Sequence, residues 1–256
     1  MGVVIAVVNH KGGVGKSTIT ANLGAALARR NGRVLVVDCD HQANLTISLL
    51  AGQQPKPHIY QLLLGQVERP DQIVHATSRL RLDILPAGED LAEADDVLNA
   101  EYMRERLLGD ALGDLPSRYD VVLLDCPPSL GLLTKNALTM ATYALIPVMT
   151  TQFSVMGLSL LTKTISKVQK RGNPRLQVLG VLINQYDRRP LIYRAEYDEL
   201  VRQVGPLKFD TEIPKGVVVE EAHVIGINVL DYAENSPVAR AYAALAEEVT
   251  ARLEVG

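Results

Sequence analysis

"VVNHKGGVGKSTITANLGAAL", residues 7–27, joins an apolar run to an alanine-rich one through a loop that is mostly glycine, with Lys11 and Lys16 at its two ends. A strand, a glycine-rich loop and then Lys-Ser opening a helix is the order that lets backbone N–H groups and a helix N-terminus converge on a phosphate. In that reading Lys11, Gly12, Gly13, Val14, Gly15, Lys16, Ser17 and Thr18 surround a nucleotide. Lys16 reaches the β- and γ-phosphates, and Ser17 offers its hydroxyl to Mg2+. The strict G-x-x-x-x-G-K-[ST] spacing is broken, because His10 stands where its first glycine belongs. Lys16 thus has an explanation. Lys11 has none yet beyond a loop cation that adds positive potential.

Outward from this loop, apolar runs of strand length recur at 3–8, 33–38, 81–87, 120–125, 143–148 and 177–183, separated by stretches of helical periodicity. Several are apolar at nearly every position, as strands buried on both faces are. The alternation predicts an α/β fold: a doubly wound, mostly parallel sheet with helices on both faces, of the P-loop type. The 256 residues, with no linker and no internal repeat, predict a single domain over 1–256. Aromatic content of 4% and no Trp leave the core to aliphatic side chains. The irregular stretch AGQQPKPHIYQLLLGQVERPD (51–71) reads as a surface excursion between helices.

A net charge of −3 gives no global attraction to nucleic acid or to an anionic membrane, so any such binding needs a local patch. Two cysteines, Cys39 and Cys126, are too few for a disulfide framework and lack zinc spacing. No basic leader precedes the first apolar run, and no run approaches the ~20 residues that cross a bilayer. The expectation is a cytoplasmic protein.

The loop K-G-G-V-G-K-S-T resembles the hallmark of the ParA/MinD family of deviant Walker A ATPases. The likeness extends along the whole chain, most closely to the short chromosomal ParA type. It implies ATP and Mg2+ as cofactors, an ATP-sandwiched homodimer, and hydrolysis to ADP and phosphate that is weak until a partner stimulates it. The resemblance also gives Lys11 a role, because in the family this lysine crosses the dimer interface to the neighbour's nucleotide. A cation placed on an oxygen that gains charge in phosphoryl transfer then acts only once the dimer forms.

Other motifs fit the same pattern. VVDCDHQANLT (36–46) places Asp38 and Asp40 at the carboxyl end of a strand, where ligands bind in open α/β sheets. It resembles the family's D-x-D-x-Q-x-N segment, which implies that Asp40 orients the attacking water and Asp38 supports the metal; capping of the next helix is the alternative. DVVLLDCPPSLG (120–131) ends a strand in Asp125, a Walker B carboxylate for Mg2+. LINQYDRR (182–189) and FDTEIPKGVVVEEAHVIGINV (209–229) resemble the adenine-contacting segments, with Asn184 as the base-reading amide and Pro214 and Lys215 beside the base. The two cysteines, each next to an acidic residue of these motifs, read as structural. A reductase resembling the nitrogenase iron protein is the rival reading that a pair of cysteines raises.

The branch of the family is read from the ends and from one helix. AYAALAEEVTARLEVG (241–256) has an acidic polar face, unlike the basic membrane helix of MinD-like relatives, so no membrane partner is expected. Residues 154–171 read as a helix with Leu158, Leu161, Ile165 and Val168 on one side and Lys163, Lys167 and Lys170 on the other. With Arg171, Arg188 and Arg189 these lysines are candidates for nonspecific double-stranded DNA binding; an ordinary solvated face is the alternative. By resemblance, the expected role is segregation or positioning of chromosome or plasmid DNA over the nucleoid, with a ParB-like centromere-binding partner. Positioning of a protein cargo through an adaptor, on carboxysomes or chemoreceptor clusters, is the alternative.

Overall fold

The computed structural model describes residues 2–149, 155–186 and 194–255. Strand β1 (Val3–Val7) leads through the glycine loop into α1 (Lys16–Arg29), then β2 (Val34–Asp38), α2 (Asn44–Leu49) and α3 (Ile59–Leu63). Next come β3 (His75–Ala76), β4 (Leu82–Leu85), α4 (Ala94–Leu98), α5 (Leu107–Leu112), β5 (Val121–Asp125), α6 (Leu132–Met140) and β6 (Tyr143–Val148). The chain continues with α7 (Val155–Arg171), β7 (Gln177–Ile183), α8 (Arg194–Val204), α9 (Val218–Ile225), α10 (Val229–Tyr232) and α11 (Pro237–Val255).

The strands form one sheet in the order β3-β4-β2-β5-β1-β6-β7, parallel throughout except for the antiparallel edge strand β3. Side chains alternate across it as the period of two requires. Val4, Ala6, Leu35, Val37, Val122 and Leu124 enter one core, under α3 to α7. Ile5, Val7, Val34, Val36 and Leu123 enter the other, under α1 and α11. Both faces are therefore buried, and the near-continuous apolar runs follow from that. Helix α1 lies close against the sheet at Gly24, where a Cβ would press on Val36 and Leu82 at 3.1 and 3.2 Å.

The six expected strands are present, and β3, only two residues long, carries no periodicity to read. The expectation of a surface excursion over 51–71 fails in its second half. Ile59, Tyr60, Leu62 and Leu63 are buried in the core, and α3 is capped by His58, whose Nδ1 accepts from the Tyr60 amide while Gln61 Oε1 accepts from the His58 amide. A helix of five residues is too short to show a 3.6-residue repeat, and histidine is an unusual cap.

Helix α11 buries Val238, Ala239, Tyr242, Leu245, Ala246 and Val249 against the body of the protein, so its apolar side is already occupied. Among the described residues no helix is long and apolar enough to cross a membrane.

Candidate functional site

The parallel pairing sets the carboxyl ends of β1, β2 and β5 side by side. Val7 pairs with Asp125, and Asp38 pairs with Asp125 from the other side. The glycine loop arches over this edge. Gly13 and Gly15 have φ of 74° and 87°, a left-handed backbone that favours glycine. Gly15 is the N-cap of α1, yet no side chain caps the helix and no acidic residue lies in its first turn. The N–H groups of that turn and the positive end of the helix dipole are left for an anion.

Lys16 is 7% exposed and its ammonium donates to the Lys11 carbonyl at 3.3 Å. Burial lowers its pKa, and Asp125, Cys126 and Asp40 pull it back up, so the cation sits among acids inside the sheet edge. Lys11 is half-buried at the start of the loop, and its amide donates to Asn9 Oδ1.

The three aspartates differ in what they have left to offer. Asp38 is fully buried and already occupied: Oδ2 accepts from the amide and hydroxyl of Thr46 at 2.9 and 2.8 Å, and Oδ1 accepts from the Asp40 amide at 3.1 Å. Burial pushes its pKa up to about 6 against those hydrogen bonds. With these bonds Asp38 ties down the 38–46 segment. Asp40 faces the cleft, its Oδ1 accepting from the Gln42 amide and 3.5 Å from His41 Nδ1. Asp125 is fully buried; the Ser17 hydroxyl comes close enough to favour the carboxylate, yet neither oxygen has a partner within hydrogen-bond distance among the described residues. Burial and neighbouring Asp38 push its pKa well up, opposed by Ser17 and Lys16. A buried, unpaired carboxylate is costly unless something cationic satisfies it, and Ser17 and Lys16 bracket the place.

The cleft itself measures about 400 Å3. Gly12, Gly13, Gly15, Lys16, Ser17 and Thr18 form one wall, and Asp40, Gln42 and Asn44 form another. Gln185, Glu220, His223 and Asn228 also line it. Gln42 and Asn44 fall inside the D-x-D-x-Q-x-N segment, and the other four fall inside the 182–189 and 209–229 segments, although the resemblance singles out none of those four residues. Val14 is buried under the loop.

Asn184, expected to read the base, is buried and donates its amide to the Val14 carbonyl at 2.8 Å, which ties it to the glycine loop. Pro214 and Lys215 line an adjacent hollow with Tyr186 and Arg240. That hollow adjoins the cleft along the chain, since the Lys215 amide donates to the Tyr186 carbonyl and Gln185 lines the cleft.

Lys163, Lys167, Lys170 and Arg171 are all exposed on α7, while Leu161, Ile165 and Val168 are buried. Arg188 and Arg189 lie outside the described residues. Cys39 and Cys126 are fully buried, and burial together with neighbouring acidic groups raises both thiols.

A family model described as an AAA domain matches residues 2–178. The chromosome-partitioning ATPase Soj of Thermus thermophilus is 41% identical, covering 98% of this chain and 96% of the relative. The chromosome partitioning protein ParA of Caulobacter vibrioides is 38% identical, covering 97% and 94%. Among solved structures, a cobyrinic acid a,c-diamide synthase from Mycobacterium smegmatis with bound ADP and magnesium superposes with a TM-score of 0.86. It is 36% identical, covering 99% of this chain and 96% of that one. Motif, sheet order and these likenesses agree, and the chain belongs to the ParA/MinD family of P-loop ATPases.

Proposed function

We propose that residues 1–256 act as one cytoplasmic, nucleoid-associated ATPase domain that dimerises on ATP, binds DNA without sequence preference and hydrolyses ATP to segregate or position chromosome or plasmid DNA. The observation that carries the nucleotide part is the pairing of an uncapped helix N-terminus and buried Lys16 ammonium with the unpartnered carboxylate of Asp125. An anion cradle and a cation site lie next to each other, which suits ATP with Mg2+. Ser17 and Asp125 would hold the metal, which when bound neutralises phosphate charge; Asp38 stands behind them. Lys16 binds the phosphates of its own nucleotide and Asp40 orients water. Lys11 serves the partner's nucleotide, which ties turnover to assembly.

The DNA part rests on the exposed cations of α7, a helix with no acidic residue, and on the partition proteins among the relatives. A monomer offers few phosphate contacts, whereas an ATP dimer doubles them on one unit, so avidity rises. A ParB-like protein is the expected stimulator of hydrolysis. The test is duplex binding with ATP and with ADP across a salt series. Binding that needs ATP, falls steeply with salt and is abolished by Lys163→Glu, Lys167→Glu and Lys170→Glu together, with dimerisation intact, supports the reading. A parent that binds no DNA with ATP at low salt refutes it.

A further inference from the structure

Away from the nucleotide cleft, a groove of about 750 Å3 runs between α6, α7 and the segment that follows α4. Met103, Leu130 and Leu160 give it an apolar lining. Arg106, Lys135, Lys167 and Arg171 surround that lining with positive charge, against Glu105 as the one acidic residue among those described there. None of the four cations has an ion-pair partner among the described residues. Neither α6 nor α7 contains Asp or Glu.

Two of the apolar side chains are presented to solvent, Leu160 being 51% exposed and Met103 46%, and Leu130 is half-buried. Met103 is held at φ 54°, a left-handed conformation that a methionine adopts only when its surroundings impose it. The wall is fixed by buried Asn136, whose amide donates to the Arg104 carbonyl at 2.8 Å and whose Oδ1 accepts from the Leu108 amide at 2.9 Å. A groove already in shape costs a ligand little ordering of the protein.

We infer that this groove docks an acidic, amphipathic peptide segment of a partner protein, its apolar face on Met103, Leu130 and Leu160 and its carboxylates on Arg106, Lys135, Lys167 and Arg171. The inference stands apart from the ATPase reading. A DNA backbone would use the cations alone and leave the apolar lining uncovered, whereas a helix with apolar residues at i, i+3 and i+4 between acidic ones covers both. Lys163 and Lys170 line a neighbouring hollow with Gln203 that shares Lys167 with this groove, so the two surfaces are told apart at Lys135 and Leu160, which line only the groove, and Lys163, which lines only the hollow.

The probe is a displayed library of random peptides about 16 residues long, selected on the full chain and remade as fluorescent peptides for anisotropy. The winners should alternate acidic and apolar residues at helical spacing. They should bind roughly tenfold more weakly to Lys135→Glu and to Leu160→Asp, and equally well to Lys163→Glu. Without ATP, where the DNA reading expects little duplex binding, a duplex of about 20 base pairs should not displace them. Leu160 is exposed and Lys135 has no ion pair among the described residues, so neither variant removes a core contact. A selection that yields no binders, winners without acidic bias, or binding unchanged in both variants overturns the proposal. Displacement by duplex without ATP, with Lys135→Glu weakening DNA as much as peptide, also overturns it and assigns the groove to nucleic acid.

Discussion

Gly15→Ala tests the geometry of the phosphate loop most directly. Gly15 sits at φ 87° and ψ 27°, and a Cβ there would fall inside contact distance of the Asn184 amide nitrogen. Two costs follow. An L-residue in the left-handed region costs about 1–2 kcal/mol. Moving the Asn184 amide forfeits its hydrogen bond to the Val14 carbonyl, about 0.5–1.5 kcal/mol net. The sum, about 1.5–3.5 kcal/mol, appears as lost stability if the loop keeps its shape. If the loop shifts to relieve the contact, the same sum appears as roughly tenfold to a few hundredfold weaker ATP binding.

Calorimetric ATP affinity and urea unfolding, measured on Gly15→Ala, Asn184→Ala and the double variant, separate the two costs. Removing the Asn184 side chain relieves the contact and leaves only the backbone cost, so the pair should be less than additive by about 0.5–1.5 kcal/mol. Strict additivity, or a Gly15→Ala protein that matches the parent in both affinity and unfolding midpoint, would refute the geometric reading of this loop.

Lys16→Ala should abolish ATP binding by calorimetry, whereas Lys11→Ala should keep binding and lose turnover; parental turnover without Lys11 would remove its role across the dimer. Asp125→Asn replaces a buried carboxylate that has no partner among the described residues and lies beside Asp38. Without nucleotide it should unfold at higher urea, by about 1–2 kcal/mol, while its ATP affinity ceases to respond to Mg2+. A less stable variant, or one that keeps the Mg2+ response, counts against the site. Burial pushes the Glu248 carboxyl up, but the amides of Thr211 and Asp210 and the Arg252 guanidinium outweigh it and hold the group below its usual value. A depressed carboxyl stabilises above the unfolded pKa and loses that contribution as pH falls through the folded value. Glu248→Gln should therefore cost about 1–2 kcal/mol at pH 7 by urea unfolding, and the difference from the parent should close as pH drops below about 4.5.

The legible parts of this protein are those in which a chemical requirement dictates a residue type at a fixed spacing. Strands buried on both faces must be apolar throughout, so β1, β2, β5, β6 and β7 stand out in the sequence to within a residue or so. A phosphate loop must have glycine where φ is positive, so Gly13 and Gly15 mark themselves. The features that stayed hidden depend on contacts between distant segments. Glu220, His223 and Asn228 reach the cleft because α9 and the turn after it fold back beside α1, where the Val229 amide donates to Asn22 Oδ1. The resemblance of 209–229 marks the segment, but which of its side chains face the cleft is set by that return. Asn184, at the end of β7, gives one amide hydrogen to the Val14 carbonyl, a contact between distant segments that the sequence does not announce.

The contrast between Asp38 and Asp125 shows how one sheet edge divides its work. The two are register partners on adjacent parallel strands, both fully buried and both pushed toward the neutral form by burial and by neighbouring acids. Sequence position alone makes them equivalent. The difference arises from Thr46, eight residues past Asp38, whose amide and hydroxyl fold back onto Oδ2, while the chain at Asp40 satisfies Oδ1. The Thr46 hydroxyl also accepts from the Ala87 amide, which extends the anchor to the segment after β4. Asp38 is thereby used up in fixing the strand-to-helix turn that presents Asp40 to the cleft. Pro127 and Pro128 follow Asp125 closely and lack the N–H that Asp40 supplies to Asp38, and Cys126 donates its own amide to the Val7 carbonyl. Asp125 has no comparable donors among the described residues, so the pair of prolines that ends the strand also keeps its carboxylate uncommitted, which is the condition a metal-binding carboxylate must meet.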